Sequence, residues 1–177
     1  MEEEKRRDMT KQNVEQTLVL FKPDALQRGL VGEILTRFER VGLRIVATKM
    51  LAPDRDYYAA HYEDIGKLKT RAGEHIFDIT LQMMSVGPVI AMVFEGVEAV
   101  GLVRKLVGGT EPKSAVPGTI RGDFSHMSYE YANNKNKGIP NLIHASGDPA
   151  EAEQEINHWF ADSELYDYEA LHEKFTR

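Results

Sequence analysis

Apolar residues in this chain fall into short runs of two kinds. "TLVLFK" (Thr17 to Lys22) is a compact β-prone run halted by Pro23, which cannot donate to a strand ladder, so a strand should end with Lys22 at its tip. "LVGEILTRFERVG" instead places Ile34, Leu35, Phe38 and Val41 at helical spacing, with Gly42 as the stop. "LRIVATKML" reads as a second strand, and "DRDYYAAHYEDI" as a short helix capped by Asp54. After the polar stretch "GKLKTRAGE", a helix over "HIFDITLQMMS" leads into "PVIAMVFEG", a continuous apolar run of the kind found in buried strands. "VEAVGLVRKLVGG" is helical again.

From Gly109 to Pro140 no period is sustained, and an unpatterned segment of that length inside a domain is functional or disordered. Strand character returns in "NLIHAS". The last helix is sharply specified: Asp148 at the N-cap, Pro149 in the first position, and Glu151 where a capping box has its glutamate. The order strand, helix, strand, helices, strand, helix, long loop, strand, helix predicts an α+β fold, a ferredoxin-like βαββαβ antiparallel sheet carrying helices on one face. A doubly wound parallel sheet is the alternative.

Composition narrows the picture. The 177 residues suit one domain, taken as 17–177, behind a charged extension over 1–16 whose composition is compatible with disorder. That extension lacks the apolar core of a signal peptide, and no run is long enough to cross a bilayer, so a cytoplasmic protein without a membrane role is expected. Cysteine is absent, which removes thiol chemistry and disulfides. A net charge of −6 argues against nucleic acid as a partner, so an anionic ligand must be met by a local cationic cluster.

Chemistry concentrates around His144, at the end of an apolar strand. A lone histidine there is more often packed than catalytic, but Glu155 lies eleven residues on, at the edge of the stripe formed by Ala152, Ile156, Trp159 and Phe160. If strand and helix pack antiparallel, that carboxylate reaches the imidazole and fixes its tautomer. The other histidines (His61, His75, His126, His158, His172) show no metal-ligand spacing, and there is no H-E-x-x-H. Neither a P-loop nor a dinucleotide fingerprint is present. Phosphate binding would therefore fall to Lys22, Arg104 and Arg121, with the Thr110 hydroxyl; each arginine taken alone is most simply a surface charge. Gly118 and Gly122 give the chain around Arg121 room to turn.

Taken together, "FKPDALQRGLVGEIL", "HYEDI", "GPVIAMVFEG", "PGTIRGDF" and "NLIHASGD" resemble, in content and order, the nucleoside diphosphate kinase family over about Thr17 to Phe160. The resemblance implies that His144 takes the γ-phosphate of a nucleoside triphosphate as phosphohistidine and passes it to a nucleoside diphosphate, a ping-pong reaction. It implies Glu155 as the orienting carboxylate and Ser146 in the adjacent hydrogen-bond network. Lys22, Tyr62 and Asn141 are placed near the transferring phosphoryl and the ribose, and Arg104, Thr110 and Arg121 on the phosphates. Mg²⁺ is implied as a cofactor held through the nucleotide phosphates, with no protein cage of its own. Base stacking is assigned to Phe77, with Ile76 as the rival, and a homo-oligomer, hexamer or tetramer, is implied. A non-catalytic nucleotide-binding regulatory protein and a protein-histidine phosphocarrier are the alternatives. Two departures stand out: Ala145-Ser146-Gly147-Asp148 replaces the family's Gly-Ser-Asp-Ser, and extra residues lie between Tyr62 and Gly87 and between Phe124 and Asn141.

Overall fold

The computed structural model describes residues 13–176. The two most apolar runs become the central strands of a sheet: β1 (Val14–Phe21) pairs antiparallel with β3 (Val89–Val97) along its whole length. β2 (Arg44–Leu51) joins the far side of β3, and the short β4 (Ile143–Ala145) the free side of β1, both antiparallel. The strand order β2-β3-β1-β4 is that of the ferredoxin-like fold, which removes the parallel alternative. β1 begins at Val14, three residues before the expected boundary, and the expectation of disorder over 1–12 lies outside the described residues.

Helices cover both faces of the sheet, not one. Thr17, Leu18, Val19, Leu20 and Phe21 are all fully buried, which a sheet with a wet face does not allow. Leu18 and Leu20 pack with Tyr58, Leu81, Met84, Ile156 and Trp159. Val19 and Phe21 point the opposite way, into Ile34, Phe38, Val103 and Ile120. On the first face lie α3 (Arg55–Ala59), which runs on into a π-helical turn (Ala60–Ile65), α5 (Glu74–Met84) and α9 (Pro149–Trp159). On the second lie α1 (Pro23–Gln27), α2 (Val31–Arg40) and α6 (Ala99–Val107).

The polar stretch 66–74 is not all loop, since it contains α4 (Leu68–Ala72). The unpatterned segment after α6 is also structured, by a 3₁₀ turn (Pro112–Ser114), α7 (Ile120–Phe124) and α8 (Tyr129–Asn134). These pieces are too short to show a period, and they are fixed by caps. The Thr119 hydroxyl accepts from Gly122 N at 3.1 Å and Ser128 Oγ from Tyr131 N at 3.1 Å. After α9 the chain returns along β2, where Tyr166 N donates to Val46 O and the buried Arg44 pairs with Glu95 at 2.7 Å and Asp167 at 2.9 Å. A last turn, α10 (Glu173–Thr176), follows.

Candidate active site

His144 sits in the middle of β4, four residues before Asp148, whose carboxylate caps α9 and accepts from Glu151 N at 2.8 Å. That tight connection brings α9 back against β1 and the π-helical turn. Glu155, fully buried on the inner stripe of α9, then lies under the imidazole, with Oε1 2.6 Å from His144 Nε2. A carboxylate accepts, so His144 carries its proton on Nε2 and presents the Nδ1 lone pair. Glu155 Oε2 accepts from Ser146 Oγ at 2.6 Å, and Ser146 Oγ in turn accepts from Leu18 N at 3.1 Å. Both carboxylate oxygens are thus committed, and the pair is anchored to the central strand.

Facing this pair is a cavity of about 320 Å³ lined by Lys22, Arg71, Arg104 and Arg121 as well as His144 and Glu155. Lys22 follows the last residue of β1, and its ammonium donates to Asn141 Oδ1 at 2.8 Å. Asn141 Nδ2 donates to Thr110 O at 2.9 Å, which ties the loop after α6 to the same knot. Arg121 is held in the wall by three main-chain carbonyls: Asn141 at 3.2 Å, Gly108 at 3.0 Å and Ile143 at 2.5 Å. Burial lowers its pKa to about 10. Burial, with Arg121 close by, lowers Lys22 to about 8. Two buried cations this close are costly without an anion, and a cavity that tolerates them is built for one. Arg104, more exposed, reaches Ser146 O at 3.4 Å.

Glycines let the wall close. A Cβ on Gly108, at φ +84°, would lie 2.4 Å from Thr119 Oγ1, and one on Gly122 would lie 2.2 Å from Val116 O. Gly147 answers the departure from the family's Gly-Ser-Asp-Ser. A Cβ there would lie 2.5 Å from Glu151 Oε2, so a carboxylate from α9 fills the space over Gly147. Glu151 also lines the cavity, and burial together with the nearby Glu155 pushes its pKa up.

The remaining expected residues divide. Tyr62 and Thr110 line the cavity; the Tyr62 hydroxyl is buried without a hydrogen-bond partner, and burial pushes its pKa far up. Phe77 does not face the cavity. It is buried in the first core layer with Leu81 and Met84, because α5 turns that position toward the sheet. The neighbouring position, Ile76, lines the cavity instead, beside Leu68, Met83 and Ile139. Both segments expected to hold extra residues meet at this aliphatic wall, where a Cβ on Gly138 would lie 2.9 Å from Ile79 O.

Three lining residues had no signal in sequence spacing: Arg71, Glu151 and His61. His61 is the notable one, since it joins His144 and Glu155 in a group whose ligand-type atoms lie within 4.8 Å of one another. Two nitrogens and one oxygen suit a transition metal better than Mg²⁺. The atoms are already engaged, His144 by Glu155 and His61 by the Trp159 indole N–H at 3.2 Å. Mg²⁺ arriving on a nucleotide's phosphates, as part of the substrate, fits this donor set better than a resident metal does.

An imidazole held by a buried carboxylate and facing a cation-lined cavity, on a ferredoxin-like sheet, is an arrangement suited to phosphoryl transfer. The family model for nucleoside diphosphate kinase matches residues 15–165, and the chain belongs to that family. It is 47% identical to a nucleoside diphosphate kinase of Borreliella burgdorferi over 88% of this chain and 92% of that one. It is 44% identical to that of Pyrococcus furiosus over 88% of each chain. Among solved structures, a transition state mimic of the Borrelia burgdorferi enzyme with bound vanadate and ADP superposes with a TM-score of 0.88 at 45% identity, covering 91% of this chain and 95% of that one. The Halobacterium salinarum enzyme in complex with CDP gives 0.78 at 36% identity, covering 92% and 98%.

Proposed function

We propose that this chain transfers the γ-phosphate of a nucleoside triphosphate to a nucleoside diphosphate through a phosphohistidine on His144. The observation that carries the reading is the 2.6 Å contact between His144 Nε2 and Glu155 Oε1 beside four cavity cations. In the first half-reaction the Nδ1 lone pair attacks the γ-phosphorus. The N–P bond forms as the bond from phosphorus to the β-phosphate bridging oxygen breaks, and the nucleoside diphosphate leaves. Positive charge developing on the imidazole is carried by Nε2–H toward Glu155. The second half-reaction reverses these steps with a different diphosphate.

Lys22, Arg104 and Arg121, with Thr110, neutralise and align the phosphate oxygens, which is most of what phosphoryl transfer asks of a protein. Tyr62 and Asn141 are read as contacts near the phosphoryl and the ribose. Mg²⁺ brought by the nucleotide would add to the charge neutralisation that Lys22, Arg104 and Arg121 supply at the phosphates. The base rests against the aliphatic wall of Leu68, Ile76 and Met83, which replaces the ring assigned to Phe77 and offers no hydrogen-bond code for one base. The same reading includes a homo-oligomer in the cytoplasm, tetramer or hexamer, which light scattering after size exclusion distinguishes. Among the described residues no helix is long and apolar enough to cross a membrane.

The test separates the half-reactions. Protein incubated with ATP and Mg²⁺, freed of nucleotide and then mixed with GDP or CDP should yield GTP or CTP without any further protein. Phosphoprotein that discharges only to a protein acceptor would point to the phosphocarrier, and absence of phosphoprotein to a nucleotide-binding regulator.

A further inference from the structure

Glu155 Oε1 has two imidazoles within reach: His144 Nε2 at 2.6 Å and His61 Nδ1 at 3.6 Å. Only the first distance is a hydrogen bond. Which ring owns that oxygen is decided by where His61 keeps its proton, and the structure shows what decides it. The π-helical turn Ala60–Ile65 carries His61 into the floor of the site, with its ring 4.6 Å from that of His144 in an edge-to-face arrangement at 81°. Behind it, Trp159 Nε1 lies 3.2 Å from His61 Nδ1. An indole N–H can only donate, so Nδ1 must accept and the proton of the neutral ring sits on Nε2. In that tautomer Nδ1 carries no hydrogen to offer Glu155 and cannot compete for it.

The arrangement carries a cost. His61 is buried and its Nε2–H has no hydrogen-bond partner, so a donor is left stranded out of water. The opposite tautomer would let Nδ1–H reach Glu155, but it would set two N–H donors against each other at Trp159. A second proton is discouraged by burial and by His144, His158 and Lys22, which hold the pKa of His61 well below the ordinary histidine value.

We propose that the Trp159–His61 pair is a tautomer lock that reserves Glu155 for His144, making both residues positioning residues of the phosphotransfer. The proposal rests on the reading of His144 as nucleophile. Trp159→Phe removes the indole donor, frees His61 Nδ1 to take the proton and hands Glu155 Oε1 to the wrong ring. Misplacement of a reacting group of this sort slows chemistry by up to about 100-fold.

Long-range ¹H–¹⁵N correlation spectra of the unaltered protein should show His61 protonated on Nε2; a His61 protonated on Nδ1 overturns the proposal and needs no variant. Rapid-quench measurement of phosphohistidine formation should show Trp159→Phe slowed by that factor, with nucleotide dissociation constant little changed. Adding His61→Leu to Trp159→Phe should restore most of the rate, because the competing donor is gone. A double variant no faster than Trp159→Phe, or a Trp159→Phe rate equal to the parent's, also overturns it. A parent protein that takes no phosphate would instead sink the reading of His144, while the His61 tautomer would still be measured.

Discussion

The Lys22 ammonium and the Asn141 side-chain oxygen, 119 residues apart in sequence, lie 2.8 Å apart and join the end of β1 to the approach to β4. Asn141 uses its other end on Thr110 O, so one amide ties three segments of the cavity wall together. Asn141→Leu keeps the volume and removes both bonds, leaving a buried ammonium and a carbonyl unpaired. A loss of about 2–3 kcal/mol is expected, read as a lower urea midpoint at unchanged slope, with weaker nucleotide binding.

Lys22 also sets a pH dependence. Its folded pKa is lowered by burial to about 8, so its charge is present below that pH and lost above it. Since kcat/KM reports ionisations of the free enzyme, kcat/KM for the triphosphate should fall as pH rises through about 8. Stability runs the other way. The unfolded lysine keeps its proton up to the ordinary value of 10.5, so between about 8 and 10.5 the unfolded chain binds more protons and this group's contribution to stability rises with pH. Lys22→Met should remove the alkaline limb from the activity profile.

Ser146→Ala leaves Glu155 Oε2 without its 2.6 Å donor and Leu18 N without its acceptor. Two buried groups then lack partners, and a cost of about 2–3 kcal/mol is expected. Because the carboxylate loses one of its two anchors, single-turnover phosphorylation should slow as well, by more than the loss of nucleotide affinity accounts for.

Two glycines should respond differently to the same change. In Gly122→Ala the new methyl meets the main-chain oxygen of Val116, which cannot move without opening the loop that carries Arg121. In Gly147→Ala it meets the end of the Glu151 side chain, which can swing aside. Thermal unfolding should show about 2 kcal/mol or more lost in the first and under about 1 kcal/mol in the second.

The sequence made the His144–Glu155 contact legible because strand, turn and capped helix are contiguous, so eleven residues fix one against the other. Lys22, Arg121 and Asn141 were legible through motif order, as local patterns at element ends. His61 was not. It comes from a π-helical turn 83 residues before His144, and only the packing of α9 against that turn brings the rings together. That Phe77 faces the core and its rival Ile76 the cavity was not legible, since the rotation of a helix is set by the core it packs on, here Leu81 and Met84. The second layer of helices follows from strands buried on both sides, of which the unbroken apolar run of β3 is the sign in the sequence.

If His144 is the nucleophile, the hold of Glu155 on its Nε2 leaves Nδ1 to attack. ³¹P–¹⁵N correlation on protein phosphorylated from ATP and Mg²⁺, beside His144→Ala treated alike, tests it most directly. A single acid-labile phosphoryl group bonded to Nδ1 of His144 is expected, and none in the variant. Phosphorus on Nε2, or a label that survives His144→Ala, would contradict it.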